Sequence, residues 1–154
     1  MSSQSDVSDI RRDLVSLLPR LRRFGLACCG QPDAVDSLVR EACARAVLNC
    51  PRLDDGDRLE SWVFSLIRAI WAEDGKKQAA AKDEELRHGF AHHDAILALP
   101  TEAAASFLLV AVENHSHAQA ADILAIEPEA VAMHVLMARR HFAQLSVTAA
   151  ERRA

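Results

Sequence analysis

Residues 116–145, SHAQAADILAIEPEAVAMHVLMARRHFAQL, are the stretch whose reading decides the fold. The first ten residues, Ser116 to Ala125, are small and alanine-rich, as a helix must be to lie close against a second one. Ser116 and Gln119 stand in the Ser-x-x-Gln spacing of a capping box, which marks a helix start. Ile126 and Glu127 make a short turn before Pro128, and a second helix follows to Leu145. Two helices joined by a tight turn form a helix-turn-helix. Its second helix reads base edges from its first turns with Arg, Lys, Asn, Gln or Ser. Here those turns offer Glu129, Ala130, Ala132, Met133, His134 and Met137. The scaffold is that of a DNA-binding unit, but its side chains are not.

The rest of the chain also reads as helix. Tyrosine is absent, alanine is abundant and strand-like alternation is missing. A first helix runs from about Ser8 to Cys29, with Ile10, Leu14, Leu17, Leu18, Leu21, Phe24 and Cys28 at helical spacing. Pro19 is expected to kink or divide it, and Gly30 to end it. A second starts near Pro32 and Asp33, a proline and an acid suited to the first turn, and carries Val35, Leu38, Val39, Ala42, Cys43, Ala46 and Val47. Pro51 to Asp57 has the chemistry of a loop. A third helix spans about Arg58 to Asp74, with Leu59, Trp62, Val63, Leu66, Ile67, Ile70 and Trp71, and Gly75 is expected to stop it. Lys76 to Asp94 is polar and lacks a wide apolar face, which predicts a linker. A short apolar segment, Ala95 to Leu99, precedes Pro100, and further helices follow at Thr101–Asn114, Ser116–Leu124 and Pro128–Leu145, with a frayed tail. The expected architecture is all-α, with a helical bundle over 8–75, a linker over 76–94 and a helix-turn-helix module over 95–146.

Composition narrows the function. The 154 residues are half hydrophobic and carry a net charge of -4. From Asp94 onward the acids Asp94, Glu102, Glu113, Asp122, Glu127, Glu129 and Glu151 face only Arg139, Arg140, Arg152 and Arg153. A free-standing DNA binder normally has a basic surplus, so affinity for bare DNA should be weak. No signal peptide or membrane-length apolar run is present, which predicts a cytoplasmic protein. Cys28, Cys29, Cys43 and Cys50 form no Cys-x-x-Cys pair and read as small buried hydrophobes. His88, His92 and His93 with Asp94 have ligand-like spacing but no matching Cys or Glu arrangement, and His115, His117, His134 and His141 are dispersed. No metal and no cofactor is indicated. Gly-rich phosphate loops, nucleophile–base pairs and paired carboxylates in an apolar setting are all missing, which argues against an enzyme. Trp62 and Trp71 offer base-stacking surfaces, but their nine-residue separation puts them near opposite faces of an ideal helix. Core packing suits at least one of them better. Met133, Val135, Leu136, Met137 and Phe142 spread apolar character over more than one face of the last helix. This suits either a buried helix or a patch for a protein partner.

In order, size and local motifs the chain resembles an extracytoplasmic-function sigma factor. Leu17-Leu-Pro-Arg-Leu-Arg-Arg-Phe24 is similar to the opening helix of that family, and Pro32-Asp-Ala-Val-Asp-Ser-Leu-Val-Arg-Glu-Ala42 to the helix that docks on the polymerase clamp. Leu59-Glu-Ser-Trp-Val-Phe-Ser-Leu-Ile-Arg68 resembles the tryptophan helix beside the downstream promoter element. Leu99-Pro100, Leu108-Leu109 and Ser116–Leu124 resemble the promoter-upstream module, and the nearest variant is the general-stress-response group.

The resemblance implies a region 2-like bundle and a region 4-like helix-turn-helix. It implies core RNA polymerase, promoter DNA and an anti-sigma factor as partners. It places Arg68, Lys76, Lys77, His134, Arg139 and Arg140 toward DNA, and Asp36, Leu38, Val39, Glu41, Met133 and Met137 toward polymerase or an anti-sigma factor. The chain departs from the family pattern at Ser37, Arg40 and Ala69, and Glu73-Asp74-Gly75 stands where arginines are usual. The last helix has Met133-His134 in place of a Ser-Arg pair. That exchange removes one phosphate contact and one base contact worth about 1–3 kcal/mol in discrimination. Glu127 and Glu129 also satisfy the helix dipole at the end that would attract a phosphate. The departures leave a second function open, a sigma-like adaptor or decoy that binds an anti-sigma factor and no longer reads promoters.

Overall fold

The computed structural model describes residues 3–49, 58–78 and 99–153. Every regular element among them is helical, and the chain divides into two compact units, Met1–Lys82 and Asp83–Ala154. The predicted loop at 51–57, Cys50, most of the predicted linker (79–94, with His88, His92, His93 and Asp94) and residues 95–98 lie outside the described residues.

The first unit is three helices packed on one another: α1 (Ser3–Cys29), α2 (Pro32–Asn49) and α3 (Leu59–Gln78). α1 is continuous through Pro19, so of the expected kink or division the division does not occur. Pro19 and Val15, four residues before it, are both exposed, so the carbonyl that loses its partner faces water. Gly30 does end the helix. It takes φ 66°, the left-handed conformation of a helix C-terminus, and its N–H donates to the Leu26 carbonyl at 2.8 Å.

Leu14, Leu21, Phe24, Ala27 and Cys28 of α1 pack inward with Val35, Leu38, Val39, Ala42 and Ala46 of α2. Val63, Phe64, Ile67 and Ile70 of α3 complete the core. Phe24 and Phe64 are fully buried with ring centroids 4.7 Å apart, each contributing about 1.5–3 kcal/mol by burial. Phe64 lies outside the apolar stripe read from the sequence, whereas Trp62, Leu66 and Trp71, which lie on it, are only half-buried.

α3 does not stop at Gly75 but runs to Gln78, so the first residues of the predicted linker, Lys76 to Gln78, are helical. Glycine inside a helix costs about 1 kcal/mol relative to alanine but does not end it unless it turns left-handed. Arg45 of α2 supports this part of α3, reaching Glu41 at 2.9 Å and Glu73 at 3.4 Å.

The second unit holds α4 (Thr101–Phe107), a π-helical continuation (Leu108–Val112), α5 (His117–Leu124) and α6 (Pro128–Glu151). The expected single helix to Asn114 therefore widens in its second half. Glu113 N–H donates to Leu108 O at 2.9 Å, five residues back, and His115 N–H to Leu109 O at 2.9 Å. Asn114 absorbs the exit at φ 57°, a conformation asparagine tolerates.

The capping box at α5 is present in both halves. Ser116 Oγ accepts from Gln119 N–H at 3.1 Å, and Gln119 Oε1 accepts from Ser116 N–H at 2.9 Å. Ala125 then turns left-handed at φ 54° to end α5, and α6 follows with Pro128 in its first turn. α6 continues to Glu151, well past the expected end at Leu145, so the tail is helical to that residue. Val131, Val135 and Ala138 of α6 are buried where it packs on α4 and α5, whose inward residues are Ala103–Ala105, Ala120, Ala121, Ile123 and Leu124. Phe107 meets Phe142 at 5.0 Å.

Candidate interfaces for protein and nucleic acid

α2 presents two sides of opposite character. Its i, i+3, i+4 apolar stripe faces α1, where the place a Gly25 Cβ would take is bounded by Val35 and Val39 at 3.5 Å and Leu38 at 3.9 Å. Leu38 and Val39, expected to meet a partner, are therefore core residues, 5% and 4% exposed. Apolar spacing put them in the buried stripe and the family resemblance put them toward a partner, and in the structure both pack against α1. The outer side of α2 carries Asp33, Asp36, Ser37, Arg40, Glu41, Ala44 and Leu48, all exposed. Asp36 accepts from Arg22 of α1 at 2.7 Å and Glu41 from Arg45 at 2.9 Å. Such solvent-exposed pairs are worth at most about 1 kcal/mol each and are easily exchanged for a partner's charges. The 3.6-residue period through Asp33, Ser37, Arg40 and Ala44 marks this outer face, a signal present in the sequence beside the two acids singled out from it.

On α3, Arg68 is half-buried and lies close enough to Cys28 to act on its thiol. Burial pushes the Cys28 thiol up to about 12, and the Arg68 guanidinium only partly offsets this. Cys29 and Cys43 are also raised by burial, so the three described cysteines are protonated packing groups at neutral pH. Lys76 and Lys77 fall on the last turn of α3, and their side chains lie outside the described residues. At the other end of α3, Glu60 lies between Arg58 at 2.8 Å and Arg20 of α1 at 3.7 Å. Burial works to raise its carboxyl, but a backbone hydrogen bond, Arg58 and Arg20 outweigh it and hold the group below the usual carboxylate range.

On α6 the expected DNA set separates. His134 turns inward: its Nδ1 lies 3.3 Å from Oγ of the fully buried Ser106 on α4, so its ring ties α6 to α4. Arg139 and Arg140 are exposed. Met133 and Met137, expected to meet protein, are exposed at 69% and 46%, with Leu136 at 50% beside them. Of the helix's two readings, the outward apolar patch is the one realised for these residues, while Val135 and Phe142 pack inward. No group of three or more potential metal ligands exists among the described residues, and no described helix is long and apolar enough to cross a membrane.

Three comparisons bear on this arrangement. Residues 91–142 match the family model for sigma-70, region 4, which covers the π turn, the capped α5 and the first half of α6. Over 69 residues the chain is 32% identical to the ECF RNA polymerase sigma factor EcfG of Rhodopseudomonas palustris (strain TIE-1). The matched stretch is 45% of this chain, and the chain covers 38% of that relative's length. Among solved structures, the sigma factor RpoE from Bartonella quintana, crystallised with the anti-sigma factor NepR, superposes with a TM-score of 0.70 at 19% identity. That match spans 89% of this chain and 96% of the other. Residues 91–142 are thus similar to sigma-70 region 4, and the fold of the chain is shared with the Bartonella quintana sigma factor.

Proposed function

We propose that this chain is an extracytoplasmic-function sigma factor that joins core RNA polymerase and directs promoter-specific transcription initiation. The observation that carries the reading is the region 4 match inside a two-unit helical chain with a sigma-factor fold. The outer side of α2, with Asp36 and Glu41 flanking Ser37 and Arg40, is the surface offered to polymerase. Leu38 and Val39 act on it from beneath by fixing the helix on α1. Arg68, Lys76 and Lys77 face the downstream promoter element, and Arg139 and Arg140 the upstream one. A net charge of -4 makes the free chain a weak DNA binder, so polymerase supplies most of the non-specific affinity. An anti-sigma factor is the third partner, in keeping with the complex in which the Bartonella quintana protein was solved.

Polymerase binding tests the reading directly. The purified chain should co-elute with core polymerase. Reversing Asp36 and Glu41 to lysine should weaken the complex at least tenfold while the helical signal is unchanged. A chain that captures an anti-sigma factor but never core polymerase would be an adaptor instead.

A further inference from the structure

α6 carries an exposed stripe of which the sigma-factor reading uses only Arg140. Glu129, Met133, Leu136 and Arg140 follow one another at intervals of four, three and four residues, the spacing of a helix–helix seam. All four are exposed, with Met137 and Ala132 flanking them. The helices beneath do not cover this stripe: they pack on the face that carries Val131, Val135 and Ala138, which are buried over the same turns.

The stripe is also self-complementary. It reads acid, apolar, apolar, base along the chain. A second copy laid antiparallel with its Arg140 against Glu129 therefore brings its Glu129 against Arg140. The same register sets Met133 against Leu136 in both directions, and Ala132 against Met137. Every contact is thus repeated by a two-fold axis, as an isologous dimer requires. The charges sit at the two ends and the apolar groups at the centre, the usual layout of an interface core and rim.

DNA suits this face poorly. Glu129 repels phosphate, and methionine and leucine offer base edges no hydrogen bonds. We infer that the chain self-associates through the 129–140 face of α6, with two antiparallel helices closed by reciprocal Glu129–Arg140 ion pairs.

Val147 lies past the overlap and takes no part. A single helix pair buries less than the roughly 1,200 Å² of a standard interface, so the dimer is weak and forms in the micromolar range. If the promoter reading holds, pairing removes Arg140 from DNA, so dimer and promoter-bound forms exclude each other.

Sedimentation of the full-length chain over about 1 to 500 µM, the range of weak transient interfaces, reads the association without any DNA or polymerase. A monomer–dimer equilibrium is expected. Glu129→Arg and Arg140→Glu should each raise its Kd about tenfold or more, and the double reversal should bring it back close to the starting value, as a double-mutant cycle requires for a direct pair. Leu136→Lys should abolish the dimer. All of these positions are exposed, and circular dichroism confirms that each variant is folded. A chain that stays monomeric throughout, a dimer indifferent to Leu136→Lys, or a double reversal that fails to restore association would each overturn the inference. Because no transcription is involved, these outcomes are independent of whether the chain is a working sigma factor.

Discussion

α2 and α6 carry similar apolar content and were both expected to meet partners, yet they use their apolar residues in opposite ways. α2 has 18 residues and lies between helices of 27 and 20, so its stripe is covered along its length and Leu38 and Val39 disappear into the core. α6 is covered on one face only, where Val131, Val135 and Ala138 pack on α4 and α5, so Met133, Leu136 and Met137 of the same turns stay outside. Whether an apolar residue is core or contact surface depends on how many faces of its helix are covered as much as on its own spacing.

The strongest way to break this contrast is to truncate one residue on each helix. Leu38→Ala should cost about 2–5 kcal/mol, the range for emptying a packed leucine site, whereas Met133→Ala should leave stability within about 0.5 kcal/mol. Urea unfolding of the two variants checks this, and equal effects would mean that the two faces are not different in kind. The next effect concerns how α5 is held beneath α6. Ser116→Ala removes half of the capping box and should cost about 1 kcal/mol in the unfolding of the second unit, read as a lowered midpoint.

A gain of similar or smaller size is expected at Ala125, which occupies the left-handed region at φ 54° with a Cβ that opposes it. Ala125→Gly should stabilise the second unit by about 0.4–1 kcal/mol, set against the greater freedom glycine gives the unfolded chain. Unchanged or lower thermal stability would show that the turn carries no strain.

The smallest effect belongs to the first unit and is a pH dependence. The carboxyl of Glu60 is held below its ordinary value of 4.5 in the folded chain. The unfolded chain therefore takes up the proton first as pH falls. The contribution of Glu60 to stability is complete above the ordinary value and is lost as pH drops through the lowered one. Glu60→Gln should flatten this part of the acid limb in a pH series of unfolding midpoints. Because the pairs are partly exposed, the change will be modest.

Much of the fold was legible from the sequence because its signals are local. The Ser116–Gln119 box, Pro32 and Gly30 are short-range, and each stands where the structure starts or ends a helix. Pro19 does not divide its helix and Gly75 does not stop its own, for a related reason. Breaker residues act through the hydrogen bond they lose, and an exposed carbonyl or a right-handed glycine lets the helix continue. The π turn at Leu108–Val112, with Leu108 and Leu109 buried, has no local signature in the sequence. Of the residues the resemblance pointed to, Asp36, Glu41, Met133, Met137, Arg139 and Arg140 are exposed. Leu38, Val39 and His134 are not: the first two lie on the apolar stripe that spacing alone had marked as buried. His134 in particular takes a partner, Ser106, that lies 28 residues away in the chain.

The measurement that tests the central claim most directly is run-off transcription from a pool of randomised promoter fragments by core RNA polymerase, with and without the chain. The account predicts transcripts that start at a shared sequence element only when the chain is present, diminish with added salt, and are reduced when Arg139 and Arg140 are both changed to alanine. Tight binding to core polymerase with no selected promoter, or transcripts indifferent to the chain, would contradict it.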